Sequence, residues 1–241
     1  MKRILLALAV LSASTLAQNA HQSTPPPYCK PCLFYGGDFD ASNPAANALA
    51  NGIGQGSNSH PAATFVPFFV PPGQTWTITG LFSNDMSSTS FLEPAKMQWS
   101  ISTGMSAGNA GTTIAKGSIS ATWTPTGRSW GIFTEYTALG HLTPETAVTI
   151  TQSGVYWMTA VPTCTDPSCG FATFYLSDVE DVPAPNHKGT QPNDDSFFLL
   201  PADNFFFAPT AYPNGVCDGG GNGTGCDKFS AGLLGYAKPS N

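Results

Sequence analysis

The sequence predicts an all-β protein, an antiparallel two-sheet sandwich of jelly-roll-like form with about ten short strands and long loops. Two observations predict this class. Apolar and polar residues alternate with a period of two in several short segments, and Gly, Pro, Asn and Asp cluster between those segments. Beyond residue 17 no segment shows the period of 3.6 that is typical of a helix.

The clearest alternation lies in residues 75–82, where Trp76 shares its parity with other apolar residues and threonines occupy the other positions. Residues 96–102 repeat the pattern around Trp99. A turn is predicted at residues 125–127 because they read Pro-Thr-Gly. The other predicted strands are residues 64–70, 112–123, 130–139, 147–150, 155–161, 171–176, 197–200 and 205–207.

Three of these segments carry further information. Pro67 interrupts residues 64–70 and therefore predicts an edge strand or a bulge, since proline donates no ladder hydrogen bond. Gly117 predicts a bulge in the strand that starts at residue 112. Residues 155–161 are apolar on both faces, which indicates a central strand that is covered on both sides.

Residues 1–17 have the pattern of a secretory signal peptide: Lys2 and Arg3, an apolar run over residues 4–11, and small residues ahead of Gln18. The alternative, a membrane anchor, would need roughly 20 apolar residues. We therefore expect a secreted protein, extracellular or periplasmic, that is not inserted in a membrane once the signal is removed. A Pro-rich tether (18–32) and a single sandwich domain (33–241) are predicted to follow.

The composition is poor in charge. Charged residues make up 10% of the chain, and cleavage after residue 17 would leave 7 Lys and Arg against 15 Asp and Glu, a net charge of about −8. So few cations cannot neutralise a row of phosphates, which argues against nucleic acid and against anionic membrane surfaces as partners.

The six cysteines form three local pairs in the sequence, and an even number in an exported chain indicates disulfides. Redox and metal-binding interpretations of the first pair stay open, although no βαβ pattern and no second CxxC accompanies it. The predicted pairs are Cys29 with Cys32, Cys164 with Cys169, and Cys217 with Cys226.

Several short motifs, taken in order, resemble a group of uncharacterised secreted bacterial β-sandwich proteins. The resemblance runs from about residue 36 to about residue 235, and it implies an exported sandwich domain with no established activity. The motifs are GGDFD (36–40), GLFSN (80–84), STGMSAGN (102–109), TGRS (126–129) with FTEY (133–136), GVYW (154–157) and FSAG (229–232).

Asp38 and Asp40 are the leading candidates for a metal site. In an extended segment, residues of alternate parity lie on one face, and two neighbouring carboxylates repel unless a cation or backbone donors satisfy them. Carboxylate oxygens suit calcium, so a calcium site is one hypothesis and a turn-capping role is the other. Weaker candidates are Asp178, Glu180 and Asp181, and separately Asn193, Asp194 and Asp195.

Catalytic patterns are missing from the sequence. It contains no G-x-S-x-G elbow and no HExxH, and nothing in it places two carboxylates at a glycosidase separation. Glu135 is expected to point outward or toward a second face, as a solvated acid. The five tryptophans fall in strand patterns and are predicted to pack in the core, whereas Tyr175, Tyr212 and residues 205–207 lie nearer turns.

The leading functional hypothesis is an exported, non-catalytic protein that binds an extracellular or cell-surface ligand, with a glycan as one class of ligand. Its basis is a surface rich in Ser, Thr and Asn without a catalytic constellation. The alternatives are a carbohydrate-active hydrolase and a structural component of an envelope or matrix.

Overall fold

A computed structural model describes nine stretches of the chain, and all structural statements below concern these residues. Side chains are described except in the short strands 48–50, 175–177, 197–200 and 204–207, which are described by backbone alone. The stretches are residues 26–39, 48–50, 63–87, 96–106, 109–163, 175–177, 197–200, 204–207 and 229–240.

The part of the chain so described forms thirteen β-strands and no helix, so the predicted all-β class is confirmed. All strand pairs are antiparallel, as predicted from the frequent turns. The strands are β1 (Cys32–Tyr35), β2 (Ala48–Ala50), β3 (Ala63–Val70), β4 (Gln74–Ser87), β5 (Lys96–Thr103), β6 (Thr112–Trp130), β7 (Phe133–His141), β8 (Val148–Ile150), β9 (Gly154–Thr163), β10 (Tyr175–Ser177), β11 (Phe197–Leu200), β12 (Asn204–Phe207) and β13 (Ala231–Pro239).

The strands hydrogen-bond in the order β1-β13-β4-β7-β6-β5-β9-β3-β11-β12, with β8 and β10 beside β4 and β2 beside β10. Strand β6 joins two limbs of this sheet. Its residues 121–130 pair with β7 in a first limb that includes β4, β13 and β1. Its residues 112–120 pair with β5 in a second limb that includes β9 and β3.

The sheet is curled, so residues of both limbs share the main hydrophobic core. The ring of Phe68 on β3 stacks on the ring of Trp76 on β4 with their centroids 6.0 Å apart, although the two strands lie in different limbs. Burial of such large side chains is the main favourable term in folding, and it stabilises the curl that brings side chains of the two limbs into contact.

Pro67 lies inside β3 and is opposite Trp157 of β9. Strand β11 pairs with β3 only at positions 63–65, so Pro67 has β9 as its one neighbouring strand among those described. The predicted edge strand or bulge is not observed, because β3 lies between β9 and β11 and pairs with β9 without a register shift. The proline is tolerated because its position has one ladder partner among the described strands. Strand β9 is central and buried along most of its length, as predicted.

Two predictions for β6 and β7 are wrong. The chain does not turn at residues 125–127, which belong to β6, and it turns instead at Gly131 and Ile132. The bulge predicted at Gly117 lies instead three residues earlier in β6. Ile101 and Ser102 of β5 pair with Ala115 and Thr113, which leaves Ile114 as the extra residue. Gly117 serves another purpose, because a Cβ atom there would lie 3.1 Å from the indole nitrogen of Trp99.

The N-terminal segment, residues 26–39, lies against the first limb. Tyr28, Cys29 and Tyr35 pack with Phe82 and Leu234 in a small cluster separate from the main core. Residues 26–32, which the sequence places in the tether, thus include side chains that pack on the sheet. Residues 1–17 lie outside the described part of the chain. Among the described residues, no helix is long and apolar enough to cross a membrane.

Candidate functional site

An open cleft of about 590 Å³ lies at one end of the second limb, where β5 ends and β9 begins. The segment 103–106 forms one wall and the segment 152–157 forms the other. The described lining residues are Phe69, Thr103, Gly104, Met105, Ser106, Gln152, Ser153, Gly154, Val155, Tyr156 and Trp157.

Hydrogen bonds hold the first wall. The backbone groups of Ser106 and Asn109 bond to each other in both directions at 3.0 and 2.8 Å. The Asn109 side chain accepts a hydrogen bond from the backbone N–H of Gly111 at 3.0 Å. These contacts tie Ser106 to Asn109, and Asn109 to Gly111, which fixes the position of Ser106.

The second wall is anchored to the core. The hydroxyl of Tyr156 donates to the backbone carbonyl of Gln152 at 2.9 Å, and the Tyr156 ring stacks on Phe68 with centroids 5.7 Å apart. Burial raises the pKa of the Tyr156 hydroxyl above its usual value, so this group is neutral at physiological pH. Tyr156 therefore ties the backbone of Gln152 to the core.

The lining grades from apolar at depth to polar at the rim. Met105 and Trp157 are buried, and Phe69 is half-buried. Gln152 and Ser153 are exposed. Gly104 and Gly154 have φ values of +69° and +148°, which favour glycine, and a side chain at either position would project into open space.

None of the eleven described lining residues carries a charge. The side chains offer hydroxyl groups, one carboxamide and aromatic surface, which can bind a neutral polar ligand. General acid–base catalysis most often uses His, Asp or Glu, and the described lining contains none of these residues. Its one titratable side chain, Tyr156, donates its hydroxyl proton to the carbonyl of Gln152.

A separate cluster of charged residues lies on the first limb. Glu135 is 0% exposed, so the prediction that it points to solvent is wrong. Its Oε2 atom accepts hydrogen bonds from Arg128 Nε at 2.5 Å and from Thr126 Oγ1 at 2.6 Å. The guanidinium supplies the counter-charge that makes burial of this carboxylate tolerable.

An irregularity in β6 places Arg128 in that position. Pro125 is opposite Tyr136 and Ser129 is opposite Thr134, so three residues of β6 face the single residue Glu135 of β7. The extra length bends β6 and directs Arg128 toward β7. Parity counting placed Glu135 on the face of β7 opposite Tyr136, and the regular pairing of β7 with β4 agrees with this. Only the expectation of a solvated acid is wrong, because Arg128 and the N-terminal segment lie against this face.

Arg128 also joins the cluster to the N-terminal segment. Its Nη1 atom lies 2.9 Å from Asp38 Oδ1, and the hydroxyl of Tyr35 donates to the same oxygen. Burial and the neighbouring Asp38 carboxylate raise the pKa of Tyr35, so it remains protonated. The pKa of Arg128 is raised because Glu135 and Asp38 outweigh the cost of its burial.

The calcium hypothesis for Asp38 and Asp40 is not tested by this geometry. Asp38 has Arg128 as a counter-ion, and Asp40 lies outside the described residues, as do the weaker acidic candidates after residue 177. In the described stretches no three His, Cys, Asp or Glu side chains lie close enough together to hold a metal ion. The hypothesis stays a prediction, and melting with and without calcium would test it.

A neutral polar chain continues the cluster. The Asn84 side chain accepts from Thr137 at 2.7 Å and donates to Ser230 at 2.7 Å, and Ser230 donates to the carbonyl of Gly37 at 2.6 Å. The hydroxyl of Tyr28 lies within 3.2 Å of Asn84 and 3.0 Å of Thr137. Because these contacts link β4, β7 and Ser230, the residue before β13, to residues 28 and 37, the cluster fastens the N-terminal segment to the sheet.

Cys29 and Cys32 are joined by a disulfide, as predicted. Cys164, Cys169, Cys217 and Cys226 lie outside the described residues, so their pairing remains a prediction. Of the five tryptophans, four are buried and Trp130 is half-buried, which confirms their predicted packing role. Tyr212 lies outside the described part of the chain, as do the side chains of Tyr175 and residues 205–207.

Sequence reasoning did not single out the cleft residues Phe69, Ser106, Gln152 and Ser153. The available signal was a polar turn, residues 151–154, directly before the most apolar strand. Comparison of the chain with protein-family models, with curated proteins and with solved structures gives no match. The resemblance to secreted sandwich proteins is therefore neither supported nor contradicted.

Proposed function

We propose that this is an exported, non-catalytic β protein that binds an extracellular or cell-surface glycan in the cleft between residues 103–106 and 152–157. The observation that carries the proposal is the lining of this cleft. Hydroxyl groups, a carboxamide and aromatic surface converge there without a charge. Protein sites for polar small molecules combine apolar walls with a few fixed polar groups in this way.

The charged cluster favours binding over hydrolysis. A glycosidase needs two carboxyl groups that face each other across the scissile bond. Asp38 and Glu135 are instead both bound by Arg128, and Glu135 is fully buried. Neither residue lines the cleft. These carboxylates therefore have a structural explanation that does not require catalysis.

Export is supported by two independent features. Residues 1–17 have the pattern of a cleaved signal. Cys29 and Cys32 form a disulfide, and structural disulfides persist in oxidising compartments outside the cytoplasm.

We also propose that the two limbs correspond to the two layers of a jelly-roll-like sandwich in the complete fold. In support, both limbs contribute to one core, and β6 passes from one limb to the other. Strands that switch sheets at corners are a recurrent feature of packed β layers.

An array of glycans and polysaccharides, probed with the mature chain (18–241) in the presence of calcium, tests the function. We expect binding to at least one glycan, and weaker binding for Gln152→Ala. Thr149→Ala is the matched control, because Thr149 is exposed on β8 and does not line the cleft. Absence of binding to every glycan at high micromolar protein would refute the proposal. In that case, recovery of a protein partner from the secreted fraction would favour a structural component of a matrix.

A further inference from the structure

Resting on the proposed function, we infer that the ligand is an uncharged glycan. In this binding mode a sugar ring packs on Phe69, and the side chains of Gln152 and Ser153 bind its hydroxyl groups. Glycans that carry uronate, sialate or sulfate groups are excluded. The inference rests on three features of the cleft. Its described lining is uncharged, its buried residues are apolar, and hydrogen bonds hold the backbone of both walls.

The absence of cationic side chains from the described lining of the cleft argues against anionic sugars. A carboxylate or sulfate that enters the cleft loses hydration and needs a cation or several fixed donors in return. None of the described cations lines the cleft. They are Lys30, Lys96, Lys116, Arg128 and Lys238. A mature chain with a net charge of about −8 also repels polyanions at long range.

Phe69 is the candidate stacking surface. It lies near the end of β3, where its backbone pairs with Val155 of β9, and its side chain is half-buried. Val155 packs against the buried pair Trp157 and Met105, so Phe69 lies beside an apolar cluster. Because Phe69 also lines the cleft, its ring can cover the apolar C–H face of a sugar.

Polar groups of suitable type surround this ring. Gln152 provides a donor and an acceptor on one planar carboxamide, and the hydroxyls of Ser106, Ser153 and Thr103 can each donate and accept. Adjacent sugar hydroxyls present the same mixture of donors and acceptors. Because Tyr156 holds the backbone carbonyl of Gln152 at 2.9 Å and Asn109 holds the backbone of Ser106, the ordering cost of binding falls mainly on the side chains.

The test is titration calorimetry of the mature chain with two sets of oligosaccharides. The neutral set contains cello-, xylo- and manno-oligosaccharides, and the anionic set contains oligogalacturonate and heparin fragments. We expect binding in the neutral set alone, weakened about tenfold or more by Gln152→Ala, as expected for the loss of hydrogen bonds to the ligand. Phe69→Leu should weaken binding similarly, since it keeps an apolar side chain but removes the ring.

Thr149→Ala should bind like the wild type, and equal melting temperatures of all variants would show that they are folded. Binding confined to anionic oligosaccharides would overturn the inference but retain the proposed function. Neutral binding that neither Gln152→Ala nor Phe69→Leu weakens would also overturn it, because the site would lie elsewhere. Absence of binding in both sets and on the array would overturn the inference and the proposed function together.

Discussion

Glu135 and Arg128 show how much a single side chain depends on its partner in this protein. The Glu135 carboxylate is fully buried, and one of its oxygens accepts hydrogen bonds from Arg128 and Thr126. The other oxygen, Oε1, has no hydrogen-bond partner in the described structure. An ion held in this way is neutralised by Arg128 alone, so the loss of Arg128 should cost far more than the loss of a surface charge.

We expect Arg128→Gln to lower the free energy of unfolding by roughly 3 kcal/mol, because it leaves Glu135 buried without a counter-charge. The double variant Arg128→Gln/Glu135→Gln should recover part of that loss, since it removes the uncompensated charge as well. Urea unfolding of the wild type, both single variants and the double variant gives the coupling energy of the pair.

Lys116→Gln is the matched control, because Lys116 is an exposed cation on the same strand. It should change stability by about 0.5 kcal/mol or less. A loss for Arg128→Gln no larger than that of this control would contradict the assigned role of Arg128.

At the scale of elements, β13 is the strand that joins β1 to the long strand β4. Gly232 is the second residue of β13 and lies between Tyr35 of β1 and Phe82 of β4. A Cβ atom at Gly232 would lie 2.4 Å from the Phe82 ring and 2.7 Å from the backbone oxygen of Phe34. The close approach of β13 to these neighbours therefore depends on the absence of a side chain.

We expect Gly232→Ala to lower the free energy of unfolding by about 1–3 kcal/mol, because a backbone atom must move to admit the methyl group. Thermal or urea unfolding measures the change. Ser118→Ala, at an exposed position of β6, is the control and should be close to neutral. Wild-type stability of Gly232→Ala would mean that β13 can shift away from β1 and β4 without cost.

Most elements could be predicted from the sequence because strand periodicity is a local property. The alternation around Trp99 matches the observed burial of β5 from Lys96 to Ile101, and it fails at Ser102, which is buried. The prediction failed where local signals conflict with tertiary pairing. Pro125 and Gly127 read as a turn, yet β7 pairs on both sides of them and keeps them within β6.

At the scale of the whole molecule, one disulfide closes a short loop near the N-terminus. Two further disulfides are predicted to close loops later in the chain. Cys29 and Cys32 confirm local pairing for the first pair. Peptide mapping of the unreduced mature chain should link Cys164 to Cys169 and Cys217 to Cys226, because each pair brackets turn-forming residues. A peptide that links one cysteine of each pair would contradict local pairing.

The cleft belongs to this scale as well, because its walls come from segments about fifty residues apart in the chain. Neither segment carries a motif that identifies it, and the two meet only because β5 and β9 are neighbours in the sheet. Sequence alone supplied the class of ligand as a hypothesis, from the low charge and the missing catalytic patterns, but not the place where a ligand would bind.

By itself the sequence determined the all-β class, most strand positions, the packing role of the tryptophans and the local pairing of Cys29 with Cys32. Each of these depends on residues that are close in the chain. The tertiary structure alone decided that β6 serves both limbs, that Glu135 is buried beside Arg128 and that Asp38 joins them. These features depend on which strands become neighbours, and pairing between distant segments is set by the collective burial of side chains rather than by any local pattern.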